Sequence, residues 1–142
     1  MSDKRVSEMT DEEVRDLAGS RVVPEYSVKD TAERAAEAVR LLNYLTLPGD
    51  GAPGLRYPAD LYDIAASLKA APARMPQLFA QLARWLQEEL AAGRIAHDGG
   101  LDPAEPVREV CGDLADADEA ASALAAALDR VHNGMARLRA NT

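Results

Sequence analysis

The stretch Val107–Leu138, VREVCGDLADADEAASALAAALDRVHNGMARL, decides the fold of this chain. Apolar residues recur along it at alternating steps of three and four for more than four heptads, which is typical of a helix with one packing stripe. The stripe comprises Val107, Val110, Leu114, Ala117, Ala121, Leu124, Leu128, Val131, Met135 and Leu138. Because alanine has the highest helix propensity, the segment favours one continuous helix of about 36 residues, opened by Asp102 and Pro103.

Two helices are predicted in the N-terminal part of the chain. Residues 1–9 are polar and predict a disordered tail. Thr10 is followed three residues later by a glutamate, the spacing of a capping box, and the short helix that it opens should end at Gly19. Ser27 repeats the N-cap signature, and the apolar pattern after it predicts a second helix that runs to about Leu47.

Two further helices are predicted between this region and the last helix. Pro58 suits the first turn of the third helix, whose apolar residues then fall on a single face. Pro72 and Pro76 interrupt the pattern, because proline removes a backbone donor and clashes with the preceding helical turn. A fourth helix should therefore start at Pro76 and run to about Ala92, where Gly93 provides a C-terminal cap.

The fold class that follows is all-α. Alternating apolar patterns of the kind that predict strands are missing, and β-branched residues are sparse. We expect an up-and-down helical bundle of four main helices, preceded by a short N-terminal helix, with a long heptad-patterned helix at the C-terminal end. Residues 10–142 should form this bundle as a single domain.

The charge and cysteine content argue against a nucleic-acid-binding, membrane-bound or disulfide-bonded protein. The 142 residues include 16 Lys and Arg against 24 Asp and Glu, a net charge of −8, which disfavours nucleic acid and anionic membranes as partners. A single cysteine cannot form an internal disulfide bond. With no apolar N-terminal segment and no run long enough to span a bilayer, a soluble cytoplasmic protein is the expectation.

The residue types that carry chemistry do not form a recognisable catalytic or metal-binding set. Cys111 has no base near it in sequence and is expected to behave as a small buried apolar residue. Asp129 and His132 have the spacing of one di-metal bundle motif, but a second copy is missing. The Gly- and Pro-rich segment PGDGAPG, residues 48–54, is predicted to be a loop, and it lacks the Lys-Ser/Thr pair of a phosphate-binding loop. We therefore predict no enzyme activity, no cofactor and no metal.

Residues 61–84 offer an alternative, because their apolar spacing matches a helix-turn-helix. In a DNA-binding regulator, amide and guanidinium groups of the second helix would read base edges. The candidate residues are Lys69, Arg74, Gln77, Gln81 and Arg84. Pro76 argues against this alternative, since it would lie inside the recognition helix.

Two segments carry a resemblance to known proteins. ARWLQEELAAGRI (residues 83–95) and ALDRVHNGMARL (residues 127–138) resemble small Ala-rich all-α proteins of actinomycete genomes, over roughly residues 60–140. The resemblance implies an all-α fold, and no functional residues are carried over from it.

The function predicted from these observations is a non-enzymatic interaction module. The last helix should be longer than the others, so part of its apolar stripe should project beyond the bundle and bind a protein partner, such as a second copy in a homodimer. The predicted interface residues are Leu124, Leu128, Val131 and Met135.

Overall fold

The computed structural model of the chain is all-helical over the residues that it describes, which are 8–19, 27–48 and 55–141. Four helices are present in these ranges: α1 (Asp11–Gly19), α2 (Val28–Leu45), α3 (Pro58–Ala91) and α4 (Ala104–Met135). The all-α prediction is thereby confirmed.

The chain divides into two compact units. The first unit, Met1–Gly54, contains α1 and α2, and the second, Leu55–Thr142, contains α3 and α4. A single domain over residues 10–142 stays a prediction. The predicted disordered tail falls mostly on residues 1–7, which lie outside the described residues, as does most of the predicted loop at 48–54.

Both helices of the first unit begin where the sequence predicts. The amide of Thr10 donates to Glu13 Oε2 at 2.7 Å, and the amide of Glu13 donates to Thr10 Oγ1 at 3.2 Å, which completes the capping box. Helix α1 ends at Gly19, as predicted. Ser27 Oγ accepts the amide of Asp30 at 3.2 Å at the start of α2, and none of the residues of α2 is buried.

Helix α3 is one continuous helix of 34 residues, so the predicted break at Pro72 and Pro76 is wrong. A proline inside a helix costs about 3 kcal/mol, because one hydrogen bond is lost and the ring crowds the preceding turn. Pro72 is buried and Pro76 is half-buried. We attribute the continuity to packing against α4, which extends to both sides of the prolines and offsets their local cost.

The C-terminal end of α3 is a Schellman motif, in agreement with the sequence. Gly93 adopts a φ of +72°, a conformation that favours glycine because side chains with a Cβ are strained there. The amide of Arg94 donates to the carbonyl oxygen of Glu89 at 3.0 Å, and the amide of Gly93 donates to that of Leu90, also at 3.0 Å. The turn sends the chain back along α3.

Helix α4 has 32 residues and is shorter than α3, so the prediction that the last helix is the longest is wrong. The reason is that the predicted third and fourth helices are a single element. At the start of α4, Asp102 Oδ1 accepts the amide of Ala104 at 2.9 Å. The N-cap residue is Pro103, one position later than predicted, because the carbonyl oxygen of Pro103 accepts the first helical hydrogen bond, from Val107.

Helices α3 and α4 form an antiparallel hairpin. Cys111 near the start of α4 donates through Sγ to the carbonyl oxygen of Ala83 at 3.8 Å, whereas Asp129 near its end pairs with Lys69 at 2.8 Å. Early residues of α4 therefore lie beside late residues of α3. The predicted bundle of five helices is corrected to four helices in the described ranges, and the up-and-down bundle arrangement stays a prediction.

Candidate interaction surface

One half of the predicted stripe of α4 faces α3, and the other half does not. Val107 and Ala121 are each only 6% exposed, and the residues between and after them at seven-residue spacing are half-buried. By contrast, Leu124 is 50% exposed. The less exposed side chains of α4 include the following set, which we call the α4 seam: Val107, Cys111, Leu114, Asp118, Ala121, Ala125, Leu128, His132 and Met135.

The structure leaves out of the seam three residues that sequence periodicity places in the packed stripe. These three residues are more apolar than the residues that pack against α3 in their place. Val110, Leu124 and Val131 are 46%, 50% and 42% exposed, while Cys111 and His132, each one position further along, are half-buried against α3. The prediction that Val110, Leu124 and Val131 form the packed stripe of the fold is therefore wrong. Leu138, also in the predicted stripe, lies beyond the end of α4 and is 58% exposed.

Helix α3 shows the same division. Its α4-facing side chains, the α3 seam, step by three and four along the whole helix and are buried or half-buried: Pro58, Tyr62, Ala65, Lys69, Pro72, Pro76, Phe79, Ala83, Leu86 and Leu90. A second set of apolar residues lies one position before the seam residues, and most of them are more exposed. In this set Leu78 is 46% exposed and Trp85 is 59% exposed.

The exposed apolar residues of the two helices lie on the same side of the hairpin. One step back along either helix turns a side chain by about 100° away from the seam. Because the helices run antiparallel and face each other, this turn leads to the same side of the pair on both of them. Together they make a surface that we call the apolar face: Leu61, Ile64, Leu68, Ala71, Met75, Leu78, Leu82 and Trp85 of α3 with Val110, Ala117, Leu124 and Val131 of α4.

The opposite side of the hairpin has a different composition. Its positions, one residue after each seam position, are alanine, glycine or polar on both helices; Gln77 and Arg84 of α3 and Glu119 and Ser122 of α4 are examples. No Leu, Ile, Val, Met or Trp occurs among them. The hairpin is thus amphipathic across its two sides, in addition to its internal seam. A contiguous apolar surface of this kind typically marks an interaction site.

A shallow apolar pocket lies at the loop end of the hairpin. It has a volume of about 120 Å³ and is lined mainly by apolar residues from the end of α3, the loop and the start of α4, among them Leu86, Ile95, Pro106, Val107 and Val110. Val110 belongs both to this pocket and to the apolar face. The pocket therefore continues that face towards the loop.

Two of the four predicted interface residues belong to the apolar face. Leu124 and Val131 are exposed there, whereas Leu128 and Met135 are half-buried in the seam against α3. The sequence analysis missed the contribution of α3, in particular Leu78 and Trp85. The signal was present as apolar residues at steps of three and four from 61 to 85, but the prolines divided it between two predicted helices.

A polar cluster occupies the end of the seam away from the loop. Lys69 Nζ donates to Asp129 Oδ1 at 2.8 Å and lies 3.3 Å from His132 Nδ1. The His132 ring stacks on Tyr62 with the ring centroids 4.2 Å apart. The hydrogen bond from Lys69, followed by the attraction of its charge, lowers the pKa of Asp129 below its ordinary value. These contacts pair the polar groups with one another and connect α3 to α4.

The residues considered for DNA binding are not brought together on one surface. Lys69 pairs with Asp129 in the seam, and Arg84 pairs with Glu88 on its own helix. Gln77 lies with Arg84 on the side opposite the apolar face, while Arg74 and Gln81 lie along the outer edge of α3. Because α3 is continuous from Pro58 to Ala91, residues 61–84 contain no turn, and the helix-turn-helix prediction is wrong.

The described residues contain neither a candidate metal site nor a candidate membrane span. No group of three or more His, Cys, Asp or Glu side chains there is arranged to hold a metal ion. Within the same part of the chain, no helix combines the length and the apolar character that crossing a bilayer requires.

Comparisons with protein-family models, with curated proteins and with solved structures find no match to this chain. The resemblance to small Ala-rich actinomycete proteins stays a prediction.

Proposed function

We propose that the protein is a non-enzymatic interaction module that binds a polypeptide partner through the apolar face of the α3/α4 hairpin. The observation that carries the proposal is the distribution of apolar residues in α4. The more apolar column, with Leu124 and Val131, points away from α3, while the column with Asp118 and His132 packs towards it. Several large apolar side chains, Leu124 and Val131 among them, thus remain substantially exposed in the folded hairpin.

The size of the apolar face supports the same proposal. Eight of its large side chains are between 36% and 59% exposed. Their exposed parts amount to roughly 750 Å², close to the ~800 Å² that each partner contributes to a stable protein interface. Cys111 of α4 meets the carbonyl oxygen of Ala83, so Trp85, two residues further along α3, lies near the level of Val110. An aromatic residue is therefore available as an anchor at the loop end of the apolar face.

The seam of the hairpin is also sparsely filled, which adds a thermodynamic argument. In the second unit the buried hydrophobic residues are Ala65, Val107 and Ala121, none of which is large. Covering apolar surface stabilises a protein by about 25 cal/mol per Å². A partner on the apolar face would therefore add substantially to the burial that holds the two helices together.

Site-specific photo-crosslinking tests this function. In one variant a photo-reactive residue replaces Leu78 on the apolar face. In the matched control variant it replaces Gln77, the neighbouring residue on the opposite side. Both positions are exposed. The full-length protein is irradiated in extract of its host and as purified protein. We expect intermolecular crosslinks to a polypeptide, which includes another copy of the chain, from position 78 and not from position 77.

Two results would refute the function. In the first, position 78 crosslinks only to its own chain, both in host extract and as purified protein. This would mean that another part of the same chain covers the apolar face. In the other, positions 77 and 78 give the same crosslinks, which would mean that the contact does not depend on the apolar face.

A further inference from the structure

We propose that the apolar face is occupied by the same face of a second copy of this chain, with the two α4 helices antiparallel across a two-fold axis near Ala123. The proposal rests on the function proposed above and names its partner. The arrangement is a four-helix assembly of two hairpins, in which each face covers the other.

The charges along the outer edge of α4 are the first argument. The edge is the column that points away from α3, about 100° around the helix from the apolar column of α4, with residues at a spacing of seven. It carries Glu109 and Asp116 in the first half of the helix, Ala123 in the middle and Arg130 near the far end, and Arg137 follows two residues after the helix ends at Met135. All five are exposed. The edge is therefore acidic at one end and basic at the other.

The symmetry of this pattern selects a second copy as partner. Ala123 lies midway between Glu109 and Arg137, and also midway between Asp116 and Arg130. An antiparallel copy of α4 centred on Ala123 therefore sets Asp116 opposite Arg130 on each side of the axis. It also brings Glu109 towards Arg137, which follows the end of the helix in the second copy. Charges that flank an apolar contact between helices commonly set partner choice and orientation in this way. A parallel copy would instead oppose like charges.

These four charged residues are available for such contacts. The ion pairs within the described residues involve other side chains, such as Arg108 with Glu105 at 2.9 Å. The charges on the corresponding edge of α3 favour neither orientation of a second copy as clearly. Its acids Asp60 and Glu88 are engaged with the amide of Tyr57 and with Arg84, and Arg74 lies between them.

The pocket at the loop end supplies a second fit in the same arrangement. Met135, the last residue of α4 in the second copy, comes to the level of residue 111, so Leu138 just beyond the helix is within reach of the pocket lined by Val107 and Val110. Leu138 is 58% exposed in its own chain. The pocket volume of about 120 Å³ suits one aliphatic side chain. If both faces were covered completely, up to roughly 1,500 Å² would be buried, which falls within the range of standard interfaces.

Size-exclusion chromatography with light scattering tests the proposal on the full-length protein. We expect the wild type to approach twice its mass of 15.2 kDa as its concentration rises. The double variant Glu109→Arg/Asp116→Arg makes the edge wholly basic, and Arg130→Glu/Arg137→Glu makes it wholly acidic. Each alone should raise the dimer Kd at least tenfold at low salt, because like charges then face each other.

An equimolar mixture of the two double variants should recover dimers, because a basic edge then meets an acidic one. The matched control is Glu119→Arg, a charge reversal on the opposite side of α4, which should leave the Kd unchanged. Helical circular dichroism of each variant establishes that it is folded. Leu138→Ala, which changes no charge, should raise the Kd severalfold by emptying the pocket.

A wild type that stays monomeric over the whole concentration range would overturn the proposal, as would a mixture that fails to recover dimers. The first of these outcomes leaves the proposed function standing if position 78 crosslinks to a different polypeptide. If position 78 gives no crosslink to any second chain, the proposed function itself fails.

Discussion

The register of the α3/α4 seam can be tested with a pair of adjacent substitutions, Ala125→Asp and Leu124→Asp. Sequence periodicity places residue 124 in the packed stripe, whereas the structure places Ala125 in the seam and leaves Leu124 50% exposed. The two substitutions introduce the same carboxylate one residue apart. The structure predicts that the change at Ala125, although alanine is the smaller residue, destabilises the fold more.

The magnitudes follow from the surroundings of each residue. A carboxylate at 125 is partly withdrawn from water against α3 and lies one helical turn before Asp129, so desolvation and repulsion together should cost about 2–4 kcal/mol. The lower helix propensity of aspartate adds about 0.5 kcal/mol at either position. At Leu124 the new charge stays hydrated, so a monomer should lose no more than about 1 kcal/mol.

Urea denaturation followed by circular dichroism measures these free energies of unfolding. Each protein is measured over a range of concentrations, so that any contribution of dimerisation at Leu124 is separated from the stability of the hairpin. Ala126→Asp, at an exposed position on the opposite side, controls for helix propensity. If Leu124→Asp is as costly as Ala125→Asp in the monomer, the seam runs where the sequence predicts and the apolar face does not exist.

Three further predictions follow from individual contacts. The folded-state pKa of Asp129 is lowered by Lys69, so its stabilising contribution is present above its ordinary pKa of 3.8 and is lost as the pH falls through the lowered value. In Asp129→Asn, urea melts should show a weaker loss of stability over that acid range. Pro76→Ala restores a backbone donor within α3 and should raise the free energy of unfolding by about 1–2 kcal/mol in urea melts. Trp85, the only tryptophan, is 59% exposed on the apolar face, so its emission should shift to shorter wavelength as concentration rises and dimers form.

Each of these predictions has an opposing result. An Asp129→Asn variant with an unchanged acid profile would mean that the ion pair with Lys69 does not contribute to stability. A Pro76→Ala variant that is less stable would mean that the proline ring is required in the seam. Trp85 emission that is independent of concentration, in a protein whose mass doubles, would place the dimer contact elsewhere.

Local sequence signals located several helix ends correctly. Thr10, Ser27 and Asp102 accept backbone amides at the starts of helices, as their side chains predict, and Gly93 ends α3 in the expected motif. These features depend on the chemistry of a few adjacent residues, which is fully contained in the sequence. The all-α fold class could also be predicted, because the spacing of apolar residues along each helix is contained in the sequence.

The continuity of α3 and the register of the seam were decided by tertiary structure. Locally, Pro72 and Pro76 oppose a helix, but the α4 hairpin stabilises one through both of them. In α4 the predicted stripe and the observed seam both contain the column of residues at seven-residue spacing from Val107 to Met135. They differ in their second column, which contains Leu124 in the predicted stripe and Ala125, one residue later, in the seam. Apolarity favours the stripe with Leu124, yet the seam uses Ala125, because which side of an amphipathic helix meets its neighbour depends on the side chains of that neighbour. The sequence by itself therefore determined that these helices form and carry apolar stripes, and only the packing of one helix on the other decided which apolar residues remain available to a partner.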